Sequence, residues 1–275
     1  MNNFDHFEVK SNEKISFGVG RAVFYCVLAV FTMQIVGGII TIPTLAYPIL
    51  THVLLPLSFL LGICAAIGLL LGMLKTNSIS IIKDFKTKIS LTEIVLSFFI
   101  WLGLLPLTEY FTTLIPTDGI FSDLYKMFST NFTMLLDYKI AGFITVCIFA
   151  PIFEEVLFRG IIFKGLLQHK IHPALAIVVS GFLFGMAHMN PWQFIGAGIL
   201  GMIFAFTYYR TKSLVIPVLL HAINNCLSYY LMLQEGSMEE SVFDTSDSIS
   251  MLIFGILGLV IGFILYRITQ KKIII

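Results

Sequence analysis

The feature that most limits what this chain folds into is a succession of eight apolar stretches, each about as long as a bilayer-crossing helix. They fall at residues 22–46, 51–74, 91–114, 140–168, 172–189, 194–210, 213–233 and 250–268. A hydrocarbon core about 30 Å thick takes roughly 20 helical residues, and backbone inside it must satisfy its own hydrogen bonds. Composition agrees, because 57% hydrophobic and 12% charged residues leave too little polar surface to coat a soluble globule. The expected fold is all-α, a polytopic membrane bundle of about eight transmembrane helices. A net charge of +1 with this apolar content excludes nucleic-acid binding and intrinsic disorder. Cys26, Cys64, Cys147 and Cys226 each sit alone in an apolar stretch without a CxxC, so they read as small hydrophobes.

Five regions follow along the chain. A polar leader (1–21) precedes a first helix that lacks a cleavage site and is expected to be retained. N-terminal membrane helices with an outer loop occupy 22–139, a core 140–233, an acidic outer loop 234–249, and a last helix with a basic tail 250–275. Lysine and arginine gather on the cytoplasmic side of membrane proteins. Fifteen of the 17 here fall on one side, leaving Lys126 and Lys139, and 13 remain if Arg159 and Lys164 are set aside as lying within a hydrophobic segment. Both termini are therefore expected inside, and the segment with Glu235, Glu239, Glu240, Asp244 and Asp247 outside. In the loop 115–139, an Asp118-Gly119 turn and the apolar Ile120, Phe121, Leu124, Tyr125, Met127 and Phe128 suggest a short helix on the outer interface.

An ionisable group in mid-span costs about 2.5–3.5 kcal/mol and so calls for a partner or a function. Such groups cluster in three places: Glu154, Glu155 and Arg159 in the fourth stretch, His188 near the end of the fifth, and His221 with Asn225, four residues apart, in the seventh. At 1.5 Å per residue they lie roughly 12–24 Å from the cytoplasmic ends of their stretches, so the three stretches are expected to converge in one layer. The i,i+4 spacing of Glu155 and Arg159 suits a structural ion pair. Glu154, about 100° away around the helix, is then the free carboxylate, fit for general acid or base work. His169 and His172 read as solvated loop histidines, Trp192 and the Tyr208-Tyr209 pair as interface anchors, and His52, Glu93 and Glu109 as helix-end residues.

Glu154-Glu155-x-x-x-Arg159, Phe184-x-x-x-His188 and His221-x-x-x-Asn225 resemble the three-motif signature of the CPBP family, the CAAX proteases and bacteriocin-processing enzymes. The likeness covers about residues 140–230. It implies an intramembrane endopeptidase of the bacterial plasma membrane, acting on a membrane-associated or lipidated peptide or protein. In that likeness Glu154, assisted by His188, activates a water, His221 and Asn225 stabilise the oxyanion, and Glu155 and Arg159 support. Two readings of metal stay open: a metal-free site, or Zn²⁺ held by Glu154, His188 and His221. The absence of HExxH and the poor zinc affinity of an Asn donor favour the first. The alternative function is a non-hydrolytic scaffold or immunity factor on the same fold. A proton-coupled transporter would call for repeat symmetry, which the chain lacks.

Overall fold

Apolar sequence this continuous folds as helix because a helix satisfies its backbone within one segment. The computed structural model describes residues 15–76, 79–235 and 248–271, and among these there are helices and no strands. α1 (Val19–Thr41) and α2 (Thr51–Met73) pack as a hairpin joined by two short 3-10 turns. α3 (Ile79–Phe85) leads into α4 (Leu91–Thr113), whose start is set by a capping box: the Ser90 amide donates to Glu93 Oε2 at 2.7 Å, and the Glu93 amide donates to Ser90 Oγ at 3.3 Å. Glu93 is thus a buried cap. α5 (Ser122–Asp137) is the helix expected in the loop 115–139. The long α6 (Lys139–Gln168), α7 (Pro173–Met186), α8 (Pro191–Thr211), α9 (Val215–Glu235) and α10 (Ser248–Lys271) complete the order.

Seven helices among the described residues are long and apolar enough to cross a membrane: α1, α2, α4, α6, α8, α9 and α10. The stretch 172–189 departs from expectation. Its helix, α7, has 14 residues, roughly 21 Å of rise, short of a core about 30 Å thick. The apolar run conceals a stop. The chain leaves the helix at Ala187, Met189 takes φ 55°, and Asn190 caps α8 by accepting from the Gln193 amide at 2.8 Å, with Pro191 in the first turn. His188 consequently sits in a turn rather than on a helix. Residues 1–14 of the leader and the acidic positions Glu239, Glu240, Asp244 and Asp247 lie outside the described residues.

Close helix contacts depend on glycine. A Cβ on Gly181 of α7 would stand 2.7 Å from the Gly198 carbonyl oxygen of α8, and one on Gly103 of α4 would stand 2.6 Å from Gly258 Cα of α10. Without a hydrophobic drive between helices in lipid, such backbone proximity supplies the packing attraction.

α3 is latched to the bundle by Asp84. Its Oδ2 accepts from Lys164 Nζ of α6 at 2.6 Å and from Tyr208 OH of α8 at 2.7 Å, while its carbonyl accepts from the Leu214 amide at 3.1 Å. Tyr208 is buried in this latch, and Tyr209 is buried beside it, so neither is an interface anchor. Arg159 and Lys164 are likewise buried in the bundle. Lys212, just past α8, lies over the Tyr209 ring at 4.2 Å. Burial, then the Arg210 charge, push its ammonium down to about 7 against opposition from Asp84. The unfolded chain binds this proton below about pH 10.5 and the folded chain only below about 7, so the group costs stability progressively as pH falls through that window. Lys212→Met should flatten the dependence of unfolding midpoint on pH between those values; an unchanged slope would contradict this assignment.

Candidate active site

Two π-helical segments, Ile144–Phe149 and Val156–Phe163, flank the α-helical turns of α6 that carry the two carboxylates. Such segments are rare and occur frequently at functional sites. Glu155 and Arg159 are fully buried. Glu155 Oε1 accepts from Arg159 Nη1 at 2.9 Å, and Arg159 Nη2 donates to the Gly201 carbonyl of α8 at 2.7 Å. The guanidinium also lies 4.6 Å from the Phe184 ring centroid and 5.4 Å from that of Phe204. A buried charge survives only with this kind of company.

The same Glu155 oxygen has a partner from α9. His221 Nδ1 lies 3.0 Å from it, and because a carboxylate only accepts, that nitrogen carries the hydrogen. The ring is stacked on Phe204 and meets Phe184 edge-on. His221 Nε2 is left 3.9 Å from Glu154 Oε2. His188 is oriented by the same logic: its Nδ1 lies 2.9 Å from the Phe184 carbonyl oxygen, so Nδ1 donates and Nε2 is the nitrogen not engaged by that bond. Glu154 remains the carboxylate that Arg159 does not bond.

Glu154, His188, His221 and Asn225 all line one cavity of about 430 Å³. The three motif segments therefore meet. Asn225 Nδ2 donates to the Val146 carbonyl of the first π segment at 2.8 Å, which commits one of its two amide hydrogens and leaves the other. Beside it, Asn224 Oδ1 accepts from Trp101 Nε1 of α4 at 3.3 Å, and Tyr229 OH donates to the Lys139 carbonyl at 2.8 Å. Trp192 also lines the cavity and is buried, with Phe128 of α5 stacked on it and Tyr125 edge-on. It joins the site to α5 and is not the interface anchor its place beside a proline suggested. A second cavity of about 210 Å³ shares Glu154, His188 and Phe59 with the first and runs between α1, α2 and α6.

Glu154, His188 and His221 do not fit a metal as placed. Among the described residues no group of three or more His, Cys, Asp or Glu side chains converges closely enough to hold an ion.

Residues 137–227 match the family described as type II CAAX prenyl endopeptidase Rce1-like. This segment is similar to the Rce1-like family over about a third of the chain. All six residues singled out in the sequence lie within it. Two bacterial relatives match similar lengths of chain. One, named "Putative membrane peptidase YdiL" in Bacillus subtilis (strain 168), is 34% identical over 87 residues, 32% of this chain and 35% of the relative. The other, "Membrane-embedded CAAX protease MroQ" of Staphylococcus aureus (strain USA300), is 33% identical over 104 residues, 35% of this chain and 42% of the relative. Less than half of either relative is matched. No solved structure matches the chain significantly.

Proposed function

We propose that this Rce1-like membrane protein is an intramembrane endopeptidase that hydrolyses a peptide bond of a membrane-associated or lipidated peptide. The observation that carries the reading is the meeting of Glu154, His188, His221 and Asn225 around one cavity inside the family-matched segment. Glu154, assisted by His188 Nε2, takes a proton from a water, and the hydroxide oxygen adds to the scissile carbonyl carbon. The resulting oxyanion accepts from the free Asn225 amide hydrogen and from His221 Nε2 in its doubly protonated state. Glu154 then passes its proton to the leaving amine, which releases an amine and a carboxylate. Glu155 bonds His221 Nδ1 and Arg159 bonds Glu155, so these two hold the ring in register. Both termini face the cytoplasm, an orientation supported by the distribution of Lys and Arg.

The purified protein in lipid vesicles, offered a library of membrane-anchored peptides that includes lipidated tails, should release two fragments from at least one of them. A metal chelator should leave that rate unchanged. Loss of activity restored by zinc would instead make Glu154, His188 and His221 ligands. No cleavage of any member by folded protein would favour a scaffold or immunity factor.

A further inference from the structure

The smaller cavity contains a polar group that the proposed hydrolysis does not use. Gln34 lies on α1, roughly 22 Å along the helix from Val19, well inside an apolar span. The other amide-sized or hydroxyl groups nearby on this helix bond to their own backbone: Thr32 Oγ1 donates to the Leu28 carbonyl at 2.8 Å and Thr41 Oγ1 to that of Gly37 at 3.2 Å. Gln34 is exposed and has no hydrogen-bond partner among the described residues. Leaving a primary amide unmatched in hydrocarbon is costly.

Its position gives it a use. Gln34 lines the 210 Å³ cavity together with Val30, Met33, Phe59, Leu157 and Phe158, and the polar side chains that share this lining are Glu154 and His188. Leu157 and Phe158 are buried whereas Gln34 is exposed, so the cavity runs from the proposed catalytic pair to a mouth at α1. An extended peptide drawn into a space with these apolar walls must match its own N–H and C=O groups. A glutamine amide offers one donor face and one acceptor face, the complement of a peptide unit.

Resting on the peptidase reading, we infer that Gln34 is a positioning residue whose side-chain amide hydrogen-bonds the substrate backbone beside the scissile bond, holding the peptide against α1 while its carbonyl faces Glu154 and His188. Gln34→Leu should lower kcat/KM about tenfold, the effect of one hydrogen bond, chiefly through KM and with an unchanged unfolding midpoint. Gln34→Asn should recover part of the loss. Replacing backbone amides of the cleaved peptide one at a time by esters should reveal one position whose penalty is about tenfold in wild type and absent in Gln34→Leu. Penalties that are the same in both proteins at every position would overturn the inference, as would wild-type kcat/KM in Gln34→Leu. Binding of the same peptide to Glu154→Gln and to the double variant Glu154→Gln/Gln34→Leu separates the two readings. Gln34-dependent binding without cleavage by wild type sinks the peptidase reading and leaves the positioning role standing; binding indifferent to Gln34 sinks that role whatever the cleavage result.

Discussion

Glu154→Gln is expected to lower kcat for peptide cleavage by about 10²–10⁴-fold, the usual contribution of a general base, while leaving the fold intact. The amide keeps the shape of the carboxylate and cannot take a proton from water. It also orphans little, because Arg159 bonds Glu155 and the nearest imidazole nitrogen, His221 Nε2, is 3.9 Å away. The measurement is kcat together with the unfolding midpoint in the same detergent. A variant that unfolds early would move Glu154 into the structural group; one that cleaves at the wild-type rate would remove it from the mechanism.

The second large effect falls on stability. Arg159→Leu leaves Glu155 buried with a charge and without the guanidinium, a loss expected to cost about 3–5 kcal/mol. The His221 hydrogen bond to the same oxygen would remain but has to serve alone. Arg159→Lys should rescue little. The wild-type guanidinium spans Glu155 Oε1 and the Gly201 carbonyl with two nitrogens, 2.9 and 2.7 Å from their acceptors, and lies against two rings. A lysine is a compact point donor without that fork. Denaturant unfolding of the two variants checks this: a shift of less than about 1 kcal/mol in Arg159→Leu would mean that the ion pair is dispensable to the fold, as exposed pairs are.

What could be read from the sequence follows the range of each interaction. Glu155 and Arg159 bond across one helical turn, so their spacing revealed them. The third member of that network, His221, is 66 residues from Glu155, and no local pattern announces a bond between different helices. The apolar stretches were visible because lipid demands them, yet 172–189 concealed a turn, since Ala187, Met189 and Pro191 are apolar while the chain there is capping a new helix. Trp192 and Tyr208 sit at the edges of apolar stretches, where aromatic residues usually anchor; here one packs under α5 and the other bonds Asp84. Both partners come from segments outside the spans, which hydropathy does not position. The π segments left no trace in the sequence, because runs of six and eight residues are too short for the wider π period to show. Gln34 was legible in principle, as a polar group in mid-span, although an uncharged amide outside any motif stands out less than an ionisable side chain.

The central claim is that Glu154 and His188 carry out hydrolysis at the cavity they share. Its most direct test is single-turnover cleavage of a membrane-anchored peptide in vesicles by wild type, Glu154→Gln and His188→Ala, all matched for unfolding midpoint. The account predicts cleavage at one site by wild type and loss of at least about 10²-fold in each variant. Cleavage that persists at the wild-type rate in either folded variant would contradict it.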